Sequence, residues 1–145
     1  SFPTRRSSDL AITLEELIQS KTATKLGIKN TPSPEVEKAL CILALKVLQP
    51  IRNALGQSIA VTSGYRSEAL NKAVGGAKTS QHLKGEASDI TLGSKKDNKR
   101  LFEVAKKLVE DKKITVGQLI DEKDYTWIHV STPITKHINE ILHLK

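Results

Sequence analysis

The chain predicts an α+β fold: a small antiparallel sheet flanked by helices. Helical patterns come first, and strands with helices inserted between them follow. The strand segments alternate apolar and polar residues, so each offers one face to a core and one to its surroundings. A length of 145 residues suits one domain with one core.

Each element has a local reason. Thr13-Leu14-Glu15-Glu16 reads as a capping box that starts a short helix through Ile18. Ser20 caps a second turn, which Gly27 ends. In Thr31-Pro32-Ser33-Pro34, Ser33 is placed to cap a helix and Pro34 to occupy its first position. From there Val36, Leu40, Leu43 and Val47 recur at helical spacing. Pro50 should kink or break this helix, and Gly56 should end it. Ile59 to Ser63 is a strand, Ser67 to Ala73 a short helix, and Gly75-Gly76 a loop leading to His82. Glu86 to Leu92 is a strand and Lys96 to Glu110 a helix. Val116 to Ile120 and Trp127 to Ser131 read as an antiparallel pair, with Asp121-Glu122-Lys123-Asp124 as their connection. Asn139 to Leu144 suits a last edge strand. The first ten residues, Ser1 to Leu10, look like the translation of a sequencing-library adapter and are set aside from fold reasoning. The expected organisation is a non-native tail, 1–10, and a single domain, 11–145; any signal peptide would then be lost from view.

Composition narrows the function classes. No run of eighteen or more apolar residues is present, so no membrane span is expected. Aromatic residues make up 3% of the chain, so the core must be mostly Leu, Ile, Val and Ala. The single cysteine, Cys41, can form no internal disulfide and sits in a helical apolar pattern, where a buried small hydrophobe is expected. The formal charge is +7, or +6 without the ten-residue tail, which carries Arg5, Arg6 and Asp9. Nucleic acid and the anionic polymers of a bacterial wall both attract such a chain. A dense group of basic residues, Lys95, Lys96, Lys99, Arg100, Lys106, Lys107, Lys112 and Lys113, brackets the helix of Leu101, Phe102, Ala105, Leu108 and Val109, as its solvated face would. No aromatic residues interleave with them to stack on bases, so a nucleic-acid partner is not expected.

The chemistry lies in two separated segments, Ser80 to Ile90 and Trp127 to Ser131. Alternation puts Ala87, Asp89 and Thr91 on one face of the first strand. It puts Trp127, His129 and Ser131 opposite the apolar Ile128 and Val130 on the second. Asp89 and His129 can therefore share a face if the strands are neighbours, and a turn at Lys84-Gly85 would bring His82 back over them. Two imidazoles and one carboxylate make the ligand set of a catalytic zinc ion with its fourth position open to water. If they meet, the chain is a metal-dependent hydrolase. His137 and His143 have no partner spacing and are expected to stay outside the metal site.

Longer strings give these residues a context: Ser63-Gly64-Tyr65-Arg66-Ser67, Leu70-Asn71, Val74-Gly75-Gly76-Ala77, Ser80-Gln81-His82 to Asp89-Ile90, Gln118-Leu119-Ile120 with Glu122, and Trp127-Ile128-His129-Val130-Ser131. Their order resembles the zinc D-Ala-D-Ala carboxypeptidase family, from about Ile12 to Ser131. That family includes D,D-dipeptidases and phage endolysins that cut L-alanyl-D-glutamate links, and its fold is shared with the hedgehog signalling domain. The resemblance implies one zinc ion held by His82, Asp89 and His129. Arg66 would bind or polarise the substrate near the scissile bond, and Ser80 and Gln81 would line the site. Some relatives place an acid three residues before the second His, where this chain has Thr126. Others place a Glu after Gln-Leu-Ile, which makes Glu122 the general base, with Asp121 and Asp124 as competitors. The implied substrate is a peptidoglycan stem peptide, cut at D-Ala-D-Ala or at L-Ala-D-Glu. A monomer acting on the bacterial wall is expected, exported or held in the cytoplasm until phage lysis. The alternative is a non-catalytic, zinc-containing wall- or protein-binding domain of the same fold.

Overall fold

The computed structural model describes residues 11–133 and 136–145; the adapter-like tail, 1–10, lies outside the described residues. Thr13 opens α1 (Leu14–Ile18) with a reciprocal capping box: its hydroxyl accepts from the Glu16 N–H, and the Glu16 carboxylate accepts from the Thr13 N–H. Ser20 caps α2 (Lys21–Leu26), and Gly27 closes it at φ 66°. Ser33 and Pro34 start α3 (Pro34–Leu43). These terminal residues act as their types dictate.

Pro50 does not break the helix. After α3 the backbone widens into a π-helical turn, Ala44–Leu48, in which the Gln49 N–H reaches back to the Ala44 carbonyl. Pro50 then falls in the first turn of α4 (Gln49–Leu55), where a missing N–H costs little. Cys41 is also not the buried residue expected. It is only partly buried beside fully buried Leu40, because the buried stripe passes through Leu40, Leu43 and Val47.

The remaining elements are β1 (Ala60–Ser63), α5 (Glu68–Ala73), a 3₁₀ turn over Gln81–Lys84, β2 (Ala87–Thr91), α6 (Lys95–Glu110), β3 (Gln118–Glu122), β4 (Trp127–Ser131) and β5 (Glu140–Leu144). Among the described residues, the strands form one sheet in the order β1-β2-β4-β3-β5. The β1–β2, β2–β4 and β3–β4 ladders are antiparallel, and the edge strand β5 joins β3 in parallel.

One face of the sheet is the core side. Val61, Ile90, Ile128, Val130 and Leu119 pack there with Leu101, Phe102, Ala105 and Val109 of α6 and with Leu43, Leu48 and Ile51 from the earlier helices. Full burial of one such side chain stabilises by about 1.5–3 kcal/mol. Lys95, Lys96, Lys99, Arg100 and Lys107 stay on the solvent side of α6.

The acidic run after Ile120 is not all connection. Asp121 and Glu122 continue β3, and the turn is confined to Lys123–Thr126. Lys123, Asp124 and Tyr125 have φ of 48°, 54° and 63°, left-handed angles that side chains disfavour. Asn98 of α6, 1% exposed, holds this turn by donating to the Tyr125 and Thr126 carbonyls at 2.9 and 3.1 Å.

Candidate metal centre

Strand pairing sets the site. Ser63, Asp89, His129 and Ile120 are register partners from one strand to the next, so they form a row on the sheet face opposite the core. His82 comes from the 3₁₀ turn, which Ser80 caps through its hydroxyl and Gly85 closes at φ 71°. That turn folds the imidazole back over β2. A Cβ on Gly85 would lie 2.9 Å from the Val36 carbonyl oxygen, so the residue here must also be small.

The three donors converge. Asp89 Oδ1 lies 3.0 Å from His129 Nδ1, and Asp89 Oδ2 lies 3.5 Å from His82 Nε2. The two imidazole rings meet edge to face, with centroids 5.4 Å apart. One ligand atom from each residue lies within 4.8 Å of the others. Four-coordinate bonds of about 2.0–2.2 Å require ligand atoms roughly 3.2–3.6 Å apart. The 3.5 Å separation falls in that range and the 3.0 Å one is just short of it, so a small outward shift of one side chain would fit these residues to a divalent ion.

The tautomer of His82 supports the same fit. Its Nδ1 lies 2.7 Å from the Gly64 carbonyl oxygen. A carbonyl only accepts, so Nδ1 carries a proton, which leaves Nε2, on the Asp89 side, as the nitrogen that can offer a lone pair to a metal ion. Asp89 is mostly buried. Burial raises its pKa, but the hydrogen bonds and charges of His129 and His82 outweigh this and hold it at about 2. The carboxylate is therefore ionised at any ordinary pH, as a metal ligand must be.

The donors stand in a cleft of about 630 Å³, which Arg66, Glu122, Trp127, Thr62, Gln19 and Ser20 also line. Burial lowers the Arg66 pKa, and the Asp89 charge opposes that effect. The Glu122 carboxylate is fixed by the Trp127 indole N–H, which donates to Oε2 at 2.6 Å. Glu122 and His129 also line a second hollow of about 580 Å³, with Ser80, Gln81, Lys84, Lys136 and His137. The two hollows thus share Glu122 and His129 as a common wall. Ser80 and Gln81 lie in the second.

The other candidates are elsewhere. Asp121, 4% exposed, faces the opposite side of the sheet and pairs with His143. Asp124 is exposed in the turn, 3.8 Å from Lys95. Thr126 donates its hydroxyl to the Lys123 carbonyl. His137 pairs with Glu140 at 3.0 Å and does not join the donor cluster. Two contributors escaped the sequence reading. The Gly64 carbonyl is a backbone group that carries no residue-type signal. Trp127 stood in a motif and on the correct face, but its N–H partner could not be seen before Glu122 was known to continue β3.

Two comparisons bear on this site. Residues 10–131 match the family described as Peptidase M15. A stretch of 63 residues is 38% identical to the zinc D-Ala-D-Ala carboxypeptidase of Streptomyces albus G. That match covers 43% of this chain and 25% of the relative, so the chain spans about a quarter of that protein's length.

Proposed function

The chain belongs to the Peptidase M15 family, and from that premise we propose that it is a zinc peptidase acting on peptidoglycan stem peptides. Residues 11–145 would act as one domain. The observation that carries the proposal is the convergence of His82, Asp89 and His129 in a cleft shared with Glu122 and Arg66. The chemistry of the donor set and the zinc named for the Streptomyces relative support that metal.

One zinc ion would be held by His82 Nε2, Asp89 and His129 Nδ1. When bound, it would supply Lewis acidity that polarises a carbonyl and makes water acidic near pH 7. Glu122 is the proposed general base: its carboxylate takes a proton from the attacking water and returns it to the leaving amine. The Trp127 bond holds that carboxylate in one orientation, so little reorganisation is needed during proton transfer. Arg66 keeps a fixed positive charge at the cleft, where negative charge develops on the scissile carbonyl oxygen. The strand-end position of Glu122 and its place in both hollows favour it over Asp121, which faces the other way, and Asp124, which is in solvent.

The second hollow on the far side of Glu122 and His129 would give a peptide room on both sides of the scissile bond. That opening suits an endopeptidase cut of the L-Ala-D-Glu type better than removal of a terminal D-Ala. Purified cell wall incubated with the zinc-loaded protein tests the proposal, with released products identified by mass. Peptides or stem fragments support it, and their masses distinguish the two bonds. One zinc per chain with no product would instead support a non-catalytic binding domain.

A further inference from the structure

We infer that Asn30 is a positioning residue that sets the Arg66 guanidinium in the cleft, although it lies in a loop remote from every proposed ligand in sequence. The inference rests on the peptidase reading above. Arg66 is half-buried, and its Nε has no hydrogen-bond partner among the described residues. No hydrogen bond at Nε fixes the guanidinium, so the backbone on either side of Arg66 bears on where it sits.

Asn30 brackets that backbone. Its Nδ2 donates to the Tyr65 carbonyl at 3.0 Å, immediately before Arg66, and its Oδ1 accepts from the Ser67 N–H at 2.7 Å, immediately after. The same Nδ2 also donates to the Ile18 carbonyl at 2.8 Å, which fastens the loop to the end of α1. Two carbonyls and one N–H can be satisfied by only one orientation of the amide, so the assignment of Oδ1 and Nδ2 is fixed by chemistry.

The loop between these anchors is packed without slack. The Tyr65 N–H donates to the Leu17 carbonyl at 2.7 Å, and the Arg66 N–H donates to the His82 carbonyl at 3.0 Å. A Cβ on Gly64 would lie 2.1 Å from the Leu17 oxygen, and one on Gly76 would lie 2.7 Å from Arg66 Nη1. Among the described residues, Asn30 is the side chain hydrogen-bonded to the backbone on both sides of Arg66. Its loss would let the Arg66 backbone turn. A displacement of 1 Å in a positioning group can cost about 10²-fold in rate.

A double-mutant cycle separates positioning from mere support of the fold. We measure kcat/KM for stem-peptide release, and zinc per chain, in wild type, Asn30→Ala, Arg66→Ala and the double variant. Asn30→Ala should lower kcat/KM about 10- to 100-fold with one zinc per chain retained. In the Arg66→Ala background the same change should cost no more than about twofold, because no guanidinium remains to be placed. Equal losses in both backgrounds, wild-type kcat/KM in Asn30→Ala, or loss of zinc would each overturn the inference. Should Asn30→Ala not fold, Asn30→Asp is read in the same cycle; it keeps the acceptor for Ser67 and loses both donations. If the wild type releases no peptide, the peptidase reading fails, and amide exchange decides on Asn30. The Arg66 and Ser67 amides should then exchange at least about tenfold faster in the folded variant, with β2 and β4 amides unchanged. Unchanged exchange at Arg66 and Ser67 would overturn the inference on its own.

Discussion

Two Asp–His pairs lie on opposite faces of this sheet, and each is a register pair across neighbouring strands: Asp89 with His129, and Asp121 with His143. Their surroundings differ. Asp89 meets a second imidazole whose proton is held away by the Gly64 carbonyl, and it faces a cleft with Glu122 and Arg66. Asp121 meets one imidazole, with the Phe102 ring packed against His143. The first pair is an open donor set. The second is a clasp that ties the edge strand to β3 over the core. Pairing alone does not make a metal site; a third donor with its lone pair presented, and room for substrate, are also required.

The strongest test of that contrast is Asp89→Ala. It should abolish stoichiometric zinc, and wall-peptide release should fall to background. Retention of one zinc per chain, measured by metal analysis after dialysis, would remove Asp89 from the proposed ligands. Next is Glu122→Gln, which should lower turnover about 10²–10⁴-fold with zinc content unchanged. Asp121→Asn should instead lower the Tm and leave turnover near wild type, because Asp121 supports the fold from the other face. A turnover loss in Asp121→Asn that matches Glu122→Gln would sink the assignment of faces.

A smaller effect follows from the Asp89 carboxylate in metal-free protein. Its folded pKa, about 2, is depressed below the ordinary 3.8. The associated stability is present above the unfolded value and is lost as pH falls through about 2. The urea midpoint of metal-free protein should therefore drop between about pH 4 and 2, and Asp89→Asn should flatten that part of the profile. The smallest expected change is His143→Gln. The imidazole is more than half exposed, so the cost should be within about 1 kcal/mol, and zinc content should not change. Substoichiometric zinc in this variant would make the two pairs less different than their surroundings imply.

The sequence made some of this contrast legible and hid the rest for physical reasons. Period-two alternation placed Asp89 and His129 on one face, because a strand's facing is set residue by residue. Capping residues marked α1, α2 and α3, because a cap acts within one turn of chain. Asp121 and Glu122 read as loop because four polar residues in a row resemble a connection. Yet Asp121 is stabilised by His143, and Asn98 pins the turn that follows. Those contacts are distant in sequence and leave no local pattern. The tolerance of Pro50 was hidden for a related reason: the π-helical turn that accommodates it depends on how the whole segment packs. Asn30 gave no signal, since an asparagine in a loop is ordinary until its three backbone partners are known.

The close approach of Gly64 to Leu17 bears on how this domain could be cut down or transplanted. A fragment beginning at β1 would keep every proposed ligand, the base and the arginine. It would lose the α1 carbonyls and the Asn30 amide against which the arginine loop is moulded. The segment from Ile12 to Asn30 therefore acts as a template, present in the outline of the cleft rather than in its chemistry. A minimal engineered version would have to carry that template along, or replace it with another surface that leaves no space at position 64.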